Sequence, residues 1–228
     1  MNAADRLIVA LDVPTSSDAS ALCARLDQQV RWYKIGLELF CSSGPDIVRD
    51  FTSAGRKIFV DLKLHDIPAT VGRTVKQLSQ LGAGLLTVHA SGGRAMMEAA
   101  SAAAGPGMKI LAVTALTSLD QDDLDAVGVQ MELSDLVIKR ALLAAESGCG
   151  GVVASPHEAA RLREVLPKGF LIVTPGIRPA GSALGDQKRV MSPAEALAAG
   201  ADMIVVGRPI RDAANPVSAA QSILEELS

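Results

Sequence analysis

The chain has 228 residues, room for one large domain or two small ones, with 49% apolar residues, 21% charged residues and a formal net charge of −3. Aromatic residues make up only 3%, so the core must be built from Ala, Val, Leu and Ile, the composition of aliphatic strands beneath Ala-rich helices. There is no basic stripe with interleaved aromatics to form a nucleic-acid surface, and no stretch approaches the roughly 20 apolar residues that span a bilayer.

The opening MNAADRLIVALD sets Asp and Arg ahead of a short apolar run, so no secretory signal is expected. From there, short aliphatic runs alternate with helical stretches to the end of the chain. The runs occupy residues 7–11, 32–35, 57–62, 85–89, 110–114, 151–154, 170–174 and 203–206. Several are continuously apolar, as in strands buried on both faces of a parallel sheet. Between them lie segments of helical length, such as 18–29, 69–81, 134–146 and 193–199. Thr15, Ser16 and Ser17 offer caps for the first, and Ser155-Pro156 and Ser192-Pro193 pair a cap with proline at the first helical position. Gly55, Gly82, Gly148 and Gly200 stand where helices should stop.

Eight strands alternating with about eight helices predict a single (β/α)8 barrel, a TIM-type α/β domain over residues 1–228. An open doubly wound sheet would carry a GxGxxG turn after its first strand, but Leu-Asp12-Val-Pro stands there instead. The longest break, PGIRPAGSALGDQKR at residues 175–189, reads as a lid or binding loop. The cysteines Cys23, Cys41 and Cys149 are odd in number and lack CxxC spacing, so they are expected to be buried small hydrophobes in a reducing, cytoplasmic setting.

Polar residues collect where the predicted strands end: Asp12, Lys34, Asp61 and Lys63, His89, Thr117 and Ser118, Arg178, and Gly207-Arg208. Active sites of such barrels lie at those C-terminal strand ends. Asp61 and Lys63 are two apart, so regular alternation points both into the barrel mouth. With Lys34 and Asp12 they make either a structural ion network or an alternating acid–base array whose members stay charged because each has an opposite neighbour. TPGIR and VVGRPI put Gly176, Arg178, Gly207 and Arg208 after the last two strands, where this fold builds phosphate cradles. Arg208 can clamp a phosphate bidentately. His65 is read as structural, His89 as supporting rather than catalytic, and His157 as a surface residue. Without an HxH or Glu-x-x-His cluster no metal site is expected, and Lys63 between Asp61 and Asp66 would compete with Mg²⁺.

Taken together, ALD with Asp12, KIGLELF with Lys34, FVDLKLHDIPAT, TVHASGG, VTALTSL, VTPGIRPAGS, GDQKR and VVGRPI closely resemble the orotidine 5′-phosphate decarboxylase family over nearly the whole chain. DxKxxD alone is shared with sugar-phosphate decarboxylases and aldolases of the same superfamily; DxKxxDIP with PGIRP, DQ and GRPI is much more specific. The resemblance implies cofactor-independent decarboxylation of orotidine 5′-monophosphate, the last step of de novo pyrimidine synthesis. It implies a catalytic array of Lys34, Asp61, Lys63 and Asp66, with Lys63 the proton donor and Asp66 serving the other subunit of a homodimer. Asp12 and Lys34 would hold the ribose, Ile67 and Thr70 would cross the dimer interface, and Thr117 or Ser118 would meet the pyrimidine edge. Gln187 would bridge base and phosphate from the lid, Arg178 would begin that lid, and Arg208 with the Gly207 amide would bind phosphate. Where the family commonly reads DIPNT this chain has Ala69, which removes a side chain able to cap the next helix or bond across the interface. The alternatives are a Mg-dependent decarboxylase or aldolase of a phosphorylated ketose, and a non-catalytic nucleotide-binding barrel.

Overall fold

The computed structural model describes residues 1–179 and 191–228. Eight parallel strands, β1 (Leu7–Ala10), β2 (Trp32–Gly36), β3 (Lys57–Leu64), β4 (Leu85–His89), β5 (Lys109–Val113), β6 (Gly151–Val153), β7 (Leu171–Thr174) and β8 (Met203–Val206), close into a barrel in chain order. β8 returns to β1 with Ile8 opposite Val205, so the sheet has no free edge. No helix of the described residues is long and apolar enough to cross a membrane.

The strands bury both faces, which is why they read as unbroken aliphatic runs. Alternate residues Ile8, Ala10, Phe59, Leu85, Leu111, Val173, Met203 and Val205 fill the barrel interior. Their neighbours Leu7, Val9, Ile35, Val60, Leu86 and Ile204 face outward into a continuous shell against the helices. Each fully buried Leu, Ile or Val contributes roughly 1.5–3 kcal/mol of transfer free energy. The helix Pro68–Gln80 shows the matching pattern, burying Val71, Val75 and Leu78 on one stripe.

The predicted helices are present with ends shifted by at most three residues. Ser16–Leu26 is capped by Thr15, whose hydroxyl accepts the Asp18 amide, and Ser192 forms a reciprocal capping box with Glu195 before Pro193–Ala198. Five connections are more elaborate than one helix each, one of them carrying the 3-10 turn Ala90–Gly92 ahead of Arg94–Ala103 after β4. Leu37–Ser43 and Asp46–Ser53 both follow β2, and Gln121–Ala126 precedes Leu133–Glu146 after β5. A short 3-10 turn, Pro156–Glu158, precedes Ala159–Val165 after β6, and Arg208–Arg211 precedes Pro216–Glu226 after β8. Cys23 and Cys149 are buried as expected, but Cys41 is exposed on the helix after β2, because its side of that helix faces solvent while Leu39 takes the core.

The barrel departs from regular geometry once in the part that matters for chemistry. β3 and β4 pair Phe59 with Leu85 and Val60 with Leu86, but the next pair is Leu64 with Val88. Four steps along β3 therefore match two along β4, a bulge that frees Asp61, Leu62 and Lys63 from the ladder. Within it Lys63 takes φ 50°, the one positive φ among the described non-glycine residues. The pairing of Asp61 with Lys63 thus comes from a bulge and a left-handed residue, which corrects the expectation of simple strand alternation.

Gly151 sits where neighbouring strands leave no room for a side chain. A Cβ there would lie 2.6 Å from the Leu171 carbonyl oxygen and 2.8 Å from Leu111 Cδ2. Backbone of a paired strand cannot retreat cheaply, so Gly151→Ala should destabilise the barrel by about 1–3 kcal/mol. Thermal or urea unfolding checks this, and unchanged stability would show that β6 and β7 can separate locally.

Candidate active site

The C-terminal mouth of the barrel gathers the predicted charges. Asp12 stands two residues beyond β1, Lys34 lies within β2, and Asp61 and Lys63 lie at the bulged end of β3. Lys34 is only 8% exposed, yet its ammonium meets Asp12 Oδ1 at 2.7 Å and Asp61 Oδ2 at 3.7 Å. Lys63 Nζ donates to the same Asp61 Oδ2 at 2.9 Å. The sequence Asp12, Lys34, Asp61, Lys63 is thus an unbroken chain of alternating charge running across three strand ends.

Gly36 makes room for it. A Cβ at that position would come within 2.9 Å of Lys34 Nζ and 3.1 Å of Asp12 Oδ1. Thr87, fully buried on β4, closes the other side of Asp61. Its hydroxyl donates to Asp61 Oδ1 at 2.9 Å and accepts the Lys63 backbone N–H at 2.9 Å. Burial opposes ionisation of Asp61, but the charges of Lys34 and Lys63 and the hydrogen bonds from Lys63 and Thr87 outweigh it. They hold the carboxyl below its ordinary 3.8.

Beside this array opens a cleft of about 320 Å³ lined by Asp12, Lys34, Gly176, Arg178, Gly207, Arg208 and Arg211. Three arginines and two glycines at the ends of β7 and β8 suit an anionic group, as the phosphate-cradle pattern predicts. Arg178 is anchored by its amide, which donates to the Met191 carbonyl at 2.9 Å. Arg211 was not singled out from the sequence, since it lies past the GRPI motif. Its guanidinium donates to the Asp12 backbone carbonyl at 2.6 Å and pairs with Asp212. A separate hollow of about 240 Å³ at the opposite end of the barrel, beside Trp32, Lys57 and Lys109, carries among the described residues only the more exposed pairs of Asp5 with Lys57 and Arg31.

The remaining predicted residues divide by position. Thr117 lies half-buried in the turn after β5, while its neighbour Ser118 is exposed. Asp66 is exposed and outside the ionic chain; its carboxylate accepts the Ile67 amide at 2.6 Å. Ile67 is 66% exposed, and Thr70 lies one turn further along the same surface. Gln187 and residues 180–189 of the predicted lid lie outside the described residues. Ala69 is the second residue of its helix, whose cap position is Ile67, so an asparagine there would not be the cap. The His65 and His89 rings meet at a tilt with centroids 5.4 Å apart, and His157 is exposed. Burial, then the nearby charges of His65, Lys63 and Arg140, push His89 below its ordinary value.

The depressed Asp61 value has a stability consequence with a defined sign. Stability arising from ionised Asp61 is fully present above its unfolded value of 3.8 and is lost as pH falls through the lower folded value. The difference in unfolding free energy between the natural chain and Asp61→Asn should stay flat above pH about 5 and shift in favour of the variant on further acidification. Urea titrations across that range test it, and a difference independent of pH would show that Asp61 is not held ionised by the fold.

Comparison with known proteins identifies the family to which this barrel belongs. Residues 5–223 match the family model described as orotidine 5′-phosphate decarboxylase / HUMPS family. An orotidine 5′-phosphate decarboxylase of Afipia carboxidovorans is 52% identical over 227 residues, covering 100% of this chain and 96% of that protein. One from Anaeromyxobacter sp. is 51% identical over 223 residues, covering 98% of each. The crystal structure of orotidine 5′-phosphate decarboxylase from Lactobacillus acidophilus matches with a TM-score of 0.87 at 38% identity, over 97% of this chain and 98% of that one. With a closed barrel, an alternating ionic chain at its mouth and a match from end to end, the chain belongs to the orotidine 5′-phosphate decarboxylase / HUMPS family.

Proposed function

We propose that this chain decarboxylates orotidine 5′-monophosphate to uridine 5′-monophosphate without a cofactor, the last step of de novo pyrimidine synthesis. The observation that carries the reading is the Lys34–Asp61–Lys63 array opening onto a cleft lined by Arg178, Arg208 and Arg211. Loss of carbon dioxide from C6 leaves a carbanion with no conjugated sink, so the enzyme must supply charge. Lys63 as ammonium stabilises negative charge at C6 and then protonates it, the preorganised electrostatic contribution that is often the largest in catalysis. Asp61 lies beside the substrate carboxylate, repelling it but not neutral carbon dioxide.

In this reading Asp12 and Lys34 hold the ribose hydroxyls, and Thr117 meets the pyrimidine edge. Arg208 and the Gly207 amide bind the phosphate, while Arg178 and Gln187 belong to the lid that closes on it. Phosphate gripped far from C6 lets remote binding energy assist the chemistry. A metal-assisted reading fits the donor set less well. Asp61 Oδ2 already meets two ammonium groups and Oδ1 accepts from Thr87, so its oxygens are committed.

The same proposal makes the protein a cytoplasmic homodimer. Asp66 and Ile67 are exposed, and the Asp66 carboxylate bonds the Ile67 amide rather than a member of its own chain's array, as suits residues that complete a second subunit's site. Ile67 is also a large apolar side chain in water, which a partner surface would cover.

Mixing the enzyme with orotidine 5′-monophosphate should deplete the orotate-ring absorbance, and EDTA should leave the rate unchanged. No change with or without Mg²⁺ would sink the proposal. Lys63→Ala should lose roughly 10³-fold or more of turnover while still binding uridine 5′-monophosphate by calorimetry. Substantial residual decarboxylation would remove Lys63 from the proton-donor role. Lys63→Ala and Asp66→Ala homodimers should each be inactive, but mixed and allowed to exchange they should regain roughly a quarter of the wild-type sites. Failure to complement would place Asp66 outside the partner's site.

A further inference from the structure

We propose that Thr87 is the positioning residue of the reaction, setting the proton donor and its neighbouring carboxylate in place through a single hydroxyl. This inference rests on the reading of Lys63 and Asp61 given above, and it extends that reading to a residue in the buried wall behind them.

Three independent features converge on Thr87. The first is the bulge: between Val60–Leu86 and Leu64–Val88 the β3 backbone has no regular ladder partner on β4. The Lys63 N–H therefore loses the carbonyl that a regular strand would offer, and a buried orphan amide is costly. Thr87 Oγ1 takes that role at 2.9 Å. The second is conformation. Lys63 sits at φ 50°, which β-strand residues avoid, so its Cα–Cβ direction is held only while the surrounding contacts insist on it. The third is the carboxylate: the hydroxyl proton of Thr87 goes to Asp61 Oδ1 at 2.9 Å, leaving Oδ2 to face Lys63 and Lys34.

One hydroxyl thus satisfies both bonds with the correct polarity. It has one proton, given to Asp61, and lone pairs that receive Lys63 N–H. Valine is nearly the same size but does neither. Thr87 is fully buried, so water does not enter to replace the bonds without rearrangement of the barrel interior. Thr87 itself stays behind the two charged residues and acts through them, while substrate phosphate and ribose are bound by residues it does not touch.

The experiment compares Thr87→Val and Thr87→Ser with the natural enzyme. Thr87→Val should lower kcat by about 10²-fold, the cost of a displacement near 1 Å. Its KM for orotidine 5′-monophosphate should stay within about three-fold, because Thr87 bonds none of the residues assigned to grip the phosphate and ribose. Thr87→Ser keeps the hydroxyl and should recover most of kcat. Undiminished kcat in Thr87→Val, equal loss in both variants, or a rise in KM alone would each overturn the proposal. If Thr87→Val does not fold, amide hydrogen exchange in the natural protein decides. The Lys63 amide should be strongly protected, and exchange at the free-peptide rate would overturn the proposal. An inactive natural enzyme would instead sink the decarboxylase reading, and the Lys63 exchange measurement would still judge Thr87.

Discussion

The site depends on one buried carboxylate that must remain charged. Asp61 is placed where desolvation disfavours its charge, and the two ammonium groups and the Thr87 hydroxyl outweigh that penalty. Each surrounding feature follows from this constraint. Lys34 must approach from the next strand, and it can do so only because Gly36 has no side chain. Lys63 reaches the carboxylate of a residue two positions earlier, and here it does so from within a bulge. Asp12 balances Lys34 from the far side, so that neither lysine is left as an uncompensated buried cation.

The barrel supplies what such an array needs, a rigid ring of strand ends. Aliphatic layers below the mouth hold the strands at fixed spacing, and helices capped by Thr15, Ser155 and Ser192 pack around them. The arginine-lined cleft sits at the ends of β7 and β8, the charged array at β2 and β3. A substrate spanning the mouth would meet both at once, which separates the grip on the phosphate from the reacting carbon without separating them energetically.

Much of this was legible from residues alone, and the reasons are physical. Continuous apolar runs mark strands buried on both faces, so all eight were placed within two residues at each end, the extended end of β3 differing most. Strand-end charges announced the mouth because ions are expensive elsewhere in a barrel. What escaped has equally definite causes. A bulge leaves no periodic trace, since residues 61–63 read like the continuation of any strand. Thr87 is hidden because threonine is an ordinary strand residue whose hydroxyl partners depend on a neighbouring strand's register. Arg211 was missed because its bond is to a backbone carbonyl, that of Asp12, which no side-chain pattern records. Cys41 broke the rule that cysteines are buried because its helix is amphipathic and that position is on the wet side.

The bond from Arg211 to the Asp12 carbonyl joins positions 199 apart, across the seam where β8 meets β1. A chain emerging from the ribosome therefore carries Asp12, Lys34 and Asp61 long before it has the last strand that closes the ring around them. During that interval the charged groups face water rather than one another's enforced geometry. Activity is consequently a property of the finished molecule alone: the first strand's contribution to the site is settled by one of the last segments to be made.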